Sequence, residues 1–390
     1  MEPKTVFIST GEVSGDLQGA MLVEALYTLA KQSQIPLTIV ALGGNRMANA
    51  GATLLGNTTN IGSVGILESL PFVLPTLKVQ RQAKAFLKRS PPDILVLIDY
   101  MGPNLAIGNY VRNHFPQLPV IYYIAPQAWV WSPFSRDTQA IARVSDRLLA
   151  IFPEEARFFQ EKGVSASWVG HPLLDRMANP PSQQQARQNL GIGQSETIIT
   201  LIPASRRQEI RYLLPVILEA AAVLQQQLPT VQFLLPLSCP ELLALIQTEI
   251  KRYQLPVTIV EDDTMSAIAA ADLAITKSGT VNLELTLLNV PQVVLYRVNP
   301  ITMWLGRTVL RFSVPFISPT NLAINEPIVP ELLQEEATVA RVVQEAMALL
   351  QDQQRRQTML DGYQRVRQEL GQPGVRDRAA REILYLITEH

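Results

Sequence analysis

From Asp272 to Arg297 the chain carries an apolar strand (Leu273 to Thr276), a turn of small residues (Ser278, Gly279, Thr280), a helix opening at about Val281, and a second apolar strand, Gln292 to Tyr296. Strands joined through a helix belong to a parallel sheet covered on both faces. The same alternation runs along the whole chain. Val6-Phe7-Ile8, Leu37 to Leu42, Ile94 to Ile98, Val120 to Ile124 and Arg147 to Ile151 read as strands of a first half. Thr197 to Ile202, Val231 to Pro236 and Val257 to Val260 join the 273–296 unit in a second. Between them, Asn179-Pro-Pro-Ser-Gln-Gln-Gln185 has the composition of a linker. The expected fold class is α/β, with two Rossmann-like domains facing across a cleft. They are residues 1–176 and residues 196–390, joined by a linker at 177–195. The last helices, rich in Arg, Gln and Glu, form a tail able to pack back on the first domain.

A chain of 390 residues with 47% hydrophobic and 17% charged content has material for two such cores. Its net charge of -1 gives no general reason to expect a nucleic-acid partner. One cysteine, Cys239, excludes an intrachain disulfide framework, and His114, His171 and His390 are too scattered for a histidine metal site. No metal is therefore expected. Gly11-Glu-Val-Ser-Gly15 departs from the dinucleotide Gly-x-Gly-x-x-Gly pattern, which leaves a nicotinamide cofactor little support. The chain enters its first strand at Thr5 without a basic and apolar leader, so a cytoplasmic location is expected. Its most apolar region, Ile66 to Leu77, is broken by Glu68, Pro71 and Pro75 and falls short of the roughly 20 residues of a membrane span.

Several residues stand where ligands bind in such sheets, at the carboxyl ends of strands. Ser278, Gly279 and Thr280 gather backbone N–H groups and hydroxyls at a helix start, a corner suited to a diphosphate. Glu284 lies one helical turn further on, within reach of a ribose diol. Ordinary N-capping accounts for the same residues equally well. Asp99 follows the strand Ile94 to Ile98 and is either a general base or a helix cap. Arg206 and Arg207, in a strand-to-helix loop, suit phosphate oxygens or simply face solvent. Trp129 and Trp131 either stack a sugar or pack, and His171 stands before Pro172 at a domain edge. Within 62–90, Lys78, Arg81, Lys84, Lys88 and Arg89 follow an apolar run with no acidic residue between Glu68 and Asp93. Such a segment suits an anionic membrane surface or a plain solvated helix.

Taken together, Gly11-Glu-Val-Ser-Gly-Asp16, Gly43-Gly-Asn-Arg-Met47, Gly65-Ile-Leu-Glu68, Ile98-Asp99, Trp129-Val-Trp131, Val169-Gly-His-Pro172, Pro203-Ala-Ser-Arg-Arg-Gln-Glu209, Ser278-Gly-Thr-Val-Asn-Leu-Glu284, Asn321-Leu and Glu331-Leu-Leu-Gln-Glu-Glu336 resemble the lipid-A-disaccharide synthases, in collinear order over nearly the whole chain. The resemblance implies a GT-B inverting glycosyltransferase without a bound metal. It would move 2,3-diacylglucosamine from its UDP derivative to the 6-hydroxyl of 2,3-diacylglucosamine 1-phosphate, forming a β-1,6 linkage and UDP. It further implies Asp99 as general base. Ser205, Arg206, Glu209, Ser278, Gly279, Thr280, Glu284, Asn321 and Gln334 would lie on the donor side, with Glu284 at the ribose. Glu12, Ser14, Gly15, Asp16, Trp129 and His171 would line the acceptor side or the cleft. The implied partners are the UDP-diacylglucosamine donor, an acyl-sugar phosphate acceptor and, peripherally, the inner face of the cytoplasmic membrane through 62–90. A homodimer is compatible with it.

Some positions depart from the family pattern. A second Asp three residues after the base is here Gly102, the usual Ser-Pro-Ser is Ala125-Pro-Gln127, and the basic cluster after the tryptophans thins to Ser132-Pro-Phe-Ser-Arg136. The usual Pro-Gly-Ser-Arg is Pro203-Ala-Ser-Arg206. Most changes fall in the first domain, so the expectation is retained donor chemistry with altered acceptor recognition.

Overall fold

The computed structural model describes residues 2–59, 73–130, 135–204, 207–237, 239–298 and 314–389. The chain divides into two compact units, one of Met1–Arg176 with Leu370–His390 and the other of Met177–Glu369.

In the first unit the strands are β1 (Lys4–Ser9), β2 (Leu37–Gly43), β3 (Thr53–Asn57), β4 (Ile94–Ile98), β5 (Val120–Tyr123), β6 (Arg147–Ala150) and β7 (Ser165–Trp168). They form one sheet in the order β3-β2-β1-β4-β5-β6-β7, and every pairing is parallel. Phe7, Leu95, Leu97, Val120, Tyr122 and Leu148 pack with Ile107, Val111 and Phe159 from the covering helices. Each fully buried side chain of this kind contributes about 1.5–3 kcal/mol. Because β1 lies between β2 and β4, the connections after β1 and β4 diverge to opposite faces and leave a crevice at their carboxyl ends.

The second unit holds β8 (Ile198–Ile202), β9 (Gln232–Pro236), β10 (Val257–Val260), β11 (Leu273–Lys277), β12 (Gln292–Tyr296) and β13 (Glu331–Leu333). Their order is β10-β9-β8-β11-β12-β13, again parallel throughout. Here β8, between β9 and β11, makes the corresponding crevice.

The first helix spans Glu12–Gln32, and Glu12, its first residue, takes φ 61. Gly15 makes that tight entry possible, since a Cβ there would stand 2.0 Å from Thr10 Oγ1. The expected linker at 177–195 contains a helix. Gln183–Leu190 is a helix with a Ser182–Gln185 capping box at its start and Gly191, at φ 68, at its end. Its Arg187 is buried, pairs with Asp272 at 2.8 Å and donates to the carbonyls of Ala270 and Gln194. A glutamine-rich composition concealed one buried, fully used arginine.

The chain after Leu370 groups with the first unit. The Asp175 carboxylate accepts from the N–H groups of Gly374, Val375 and Arg376, capping the helix Val375–Glu389, and Arg147 pairs with Glu382 on that helix. Among the described residues, no helix is long and apolar enough to cross a membrane.

Candidate active site

At the end of β4 the backbone turns sharply. Asp99 and Tyr100 both take φ 48, a left-handed conformation costing a non-glycine residue about 1–3 kcal/mol, so the surroundings must hold it. Asn104, fully buried, donates to the carbonyls of Ile98 (3.0 Å) and Asp99 (2.7 Å) and accepts from Ser9 Oγ (2.8 Å). The Tyr122 hydroxyl donates to the Asp99 carbonyl at 2.8 Å, and the Asp99 N–H donates to Ile124 O at 3.1 Å. The Tyr100 ring covers Gly11, where a Cβ would stand 2.3 Å from a ring carbon. Burial raises the pKa of the Asp99 carboxyl. The Tyr100 N–H opposes the shift, and the Glu12 carboxylate adds to it. A desolvated carboxylate at a sheet's carboxyl edge is suited to taking a proton from a hydroxyl.

Other residues expected on this side are used within the fold. Asp16 is 3% exposed and accepts from the N–H groups of Gly44 (2.7 Å), Arg46 (3.1 Å) and Met47 (3.1 Å), so it caps the helix Asn45–Asn49. It does not line an open surface. Ser14 is exposed, and Glu12 is half-buried near Asp99. The Trp129 ring lies 6.1 Å from Phe152, which lies 5.3 Å from His171. His171 is buried, its Nδ1 accepts from the Leu173 N–H at 3.2 Å, and burial holds its pKa down to about 4. Its ring, expected to line the cleft, is neutral at physiological pH and serves as a cap.

In the second unit the turn after β11 is closed by a side chain. Asn282, fully buried, accepts from the Gly279 N–H at 2.8 Å and donates to Lys277 O (3.2 Å) and Gln292 Oε1 (2.9 Å). The Ser278 N–H goes to Leu295 O at 3.1 Å, and its hydroxyl goes to Ile317 O at 2.8 Å. The sequence reading expected these donors to face a ligand, whereas here they are satisfied internally. Thr280 is exposed and Glu284 half-buried on the helix Val281–Leu287.

Asn321 is likewise committed. Its amide accepts from the N–H groups of Ile328 and Val329 and donates to Val329 O and Glu331 Oε1, so its side chain, expected on the donor side, is engaged within the fold. Gln334, after β13, is different. It stands at φ 50, is 7% exposed, and its Nε2 has no hydrogen-bond partner among the described residues. A buried amide donor left unpaired costs about 1–3 kcal/mol and is suited to an incoming acceptor. Ser205, Arg206, Trp131 and the 60–72 part of the basic segment lie outside the described residues.

Sequence reasoning passed over three groups. Lys277 places its ammonium against Gly279, where a Cβ would stand 2.8 Å from Nζ, and pairs with Glu209 at 3.8 Å. Its position beside the Ser-Gly-Thr turn was a visible signal. Asn104 and Asn282, each in the first turn of the helix after its strand, fasten the two turns, and an asparagine there reads as unremarkable from sequence. Glu155 is fully buried, accepts from the Ile151 N–H at 2.8 Å, and is pushed up to about 8, chiefly by burial. Nothing in its local sequence, a glutamate in the first turn of a helix, signals that burial.

A family model described as lipid-A-disaccharide synthetase matches residues 6–384. The lipid-A-disaccharide synthase of Gloeothece citriformis is 58% identical over 379 residues, covering 97% of this chain and 99% of its own. That of Synechocystis sp. is 56% identical over 381 residues, or 97% of each chain. That of Coxiella burnetii is 34% identical over 388 residues, or 99% of this chain and 100% of its own. Among solved structures, the S. aureus MnaA–UDP co-structure has a TM-score of 0.65 at 16% identity, covering 99% of this chain and 97% of that one. The UDP-GlcNAc 2-epimerase of Neisseria meningitidis bound to UDP-GlcNAc scores 0.60 at 13% identity, with 100% of both chains covered. The glycotransferase of kitacinnamycin scores 0.61 at 14% identity, with 99% and 100% covered. At these identities the likeness is one of fold.

Proposed function

Because this chain belongs to the lipid-A-disaccharide synthetase family, we propose that it transfers 2,3-diacylglucosamine from its UDP derivative to the 6-hydroxyl of 2,3-diacylglucosamine 1-phosphate. The products are a β-1,6-linked disaccharide and UDP. The acceptor hydroxyl attacks the anomeric carbon as the bond to UDP breaks, and Asp99 takes the hydroxyl proton. One inversion and one base complete the reaction. The observation that carries this reading is the desolvated Asp99 carboxyl at the end of β4, in a chain that matches the family model from residue 6 to residue 384. The donor lies on the second unit, against the Ser278, Gly279, Thr280 turn, where the Ser278 and Gly279 donors shape the turn and Thr280 stays exposed, and at Arg206 and Glu209, with Glu284 at the ribose and the Gln334 amide offered to it.

A membrane-surface role has separate support. Val73, Leu74 and Leu77 are 47%, 77% and 43% exposed at the start of the helix Val73–Arg89, whose later turns carry Lys78, Arg81 and Lys84. Exposed apolar side chains beside a basic face suit an anionic lipid surface, where diacyl substrates reside.

A second reading, with a different acyl-sugar acceptor, is favoured by one observation. Gly102 stands where the family pattern has a carboxylate, and a Cβ built on it would point into space open to 4 Å apart from its own helix and chain neighbours. A mass-spectrometric product assay with the UDP-diacyl sugar separates the possibilities. The disaccharide 1-phosphate from the standard acceptor supports the first reading, and a product formed only with a mixed lipid extract supports the second. UDP release without any acceptor overturns both.

A further inference from the structure

We propose that Lys277 is a ligand of the donor diphosphate, held over the Ser278–Thr280 turn by Glu209 until the nucleotide arrives; the inference rests on the donor-site reading above. Lys277 is the last residue of β11, and its side chain is only 22% exposed. Its stem lies back along the turn instead of extending into solvent. A Cβ on Gly279 would stand 2.8 Å from Nζ and 3.1 Å from Cε, so the glycine supplies the space the ammonium occupies. Gly279 is therefore needed for the lysine as well as for any ligand.

Glu209 explains why the lysine rests there. A carboxylate beside a diphosphate site would repel its ligand, and Glu209, 27% exposed, stands 3.8 Å from Lys277. That separation exceeds the roughly 2.7–2.9 Å of a charge-assisted hydrogen bond. The pair attracts without a close bond, so the ammonium can exchange the carboxylate for a phosphate oxygen at little cost. The Tyr296 hydroxyl also feels Glu209, whose charge adds to the effect of burial in raising its pKa. Lys277 thus faces a negative charge at rest and meets a larger one when UDP binds. As the sugar leaves, charge grows on the diphosphate, and a fixed ammonium favours that state.

Calorimetric titration of UDP and of uridine into the wild type and into Lys277→Met, Lys277→Gln and Lys277→Arg tests the assignment. Removing the charge is expected to weaken UDP binding about 10- to 100-fold and to flatten its salt dependence. Uridine, which has no phosphate, should bind as before, and Lys277→Arg should keep most of the UDP affinity because it keeps the charge. If Lys277→Met and Lys277→Gln bind UDP like the wild type, or lose UDP and uridine equally, the lysine is structural and the inference is overturned. A wild-type chain that fails to bind UDP would overturn the donor-site reading itself, a result distinct from either.

Discussion

The turns after β4 and β11 are built on one plan and filled with opposite chemistry. Each follows the strand that pairs with the first strand of its sheet, β4 with β1 and β11 with β8, and each is fastened by a buried asparagine whose amide reaches back to strand-end carbonyls. In the first unit the fastening holds two left-handed residues and a carboxyl whose pKa is raised by burial. In the second, no residue from Lys277 to Asn282 has positive φ, the turn contains a glycine, and an ammonium rests on it. The difference teaches what each turn stores. The β4 turn holds strain and desolvation, which keep a base reactive. The β11 turn holds a positive charge on a relaxed backbone, suited to binding an anion and releasing it.

The largest test of that contrast is Asp99→Asn. Loss of a general base should lower kcat by about 10²–10⁴-fold, while UDP binding on the other unit stays near wild type. Retained turnover would remove Asp99 from the base role and with it the functional half of the comparison.

The two asparagines sharpen it next. Asn104→Ala and Asn282→Ala each strand buried partners and should cost about 2–4 kcal/mol in denaturant unfolding. Their kinetic effects should separate. Asn104→Ala is expected to lower kcat and leave UDP affinity in place, because it loosens the Asp99 turn. Asn282→Ala is expected to weaken UDP binding with less change in kcat at saturating donor. Equal effects of the two variants on both measurements would mean that the turns are not specialised.

How far this contrast was legible in the sequence depends on the kind of residue. Alternating apolar runs marked β4, β11 and their neighbours closely, because a parallel strand buried on both faces must be apolar throughout. The motif residues marked the turns themselves. What stayed hidden were side chains whose partners are far apart in sequence. Asp16 looked like a loop carboxylate, yet it caps a helix about thirty residues on, and Asn321 looked like a donor ligand, yet its amide is used entirely by Ile328, Val329 and Glu331. Arg187 was lost in a glutamine-rich stretch for the same reason. Local pattern reports periodicity and turn chemistry; it does not report which polar group a distant segment will claim.

The smallest expected effect concerns proton balance at the β4 turn. Burial raises the Asp99 pKa and the Glu12 charge adds to it, so the acid limb of kcat/KM should fall above the ordinary carboxylate range, with activity lost as pH drops through it. Glu12→Gln removes one raising charge and should move that limb to lower pH; an unmoved limb would exclude Glu12 as an influence on the base. Stability carries the complementary sign. A carboxyl whose folded pKa is raised keeps its proton in the native state while the unfolded chain has already lost it. Asp99 therefore disfavours the fold increasingly as pH rises from the ordinary carboxylate range through the raised value. Thermal melts of Asp99→Asn should match the wild type below that window and lie above it at neutral pH. Nothing comparable is expected from Lys277→Met, because the β11 turn holds its charge beside an opposite one. A pH-dependent gain in that variant would show that the second turn is strained as well.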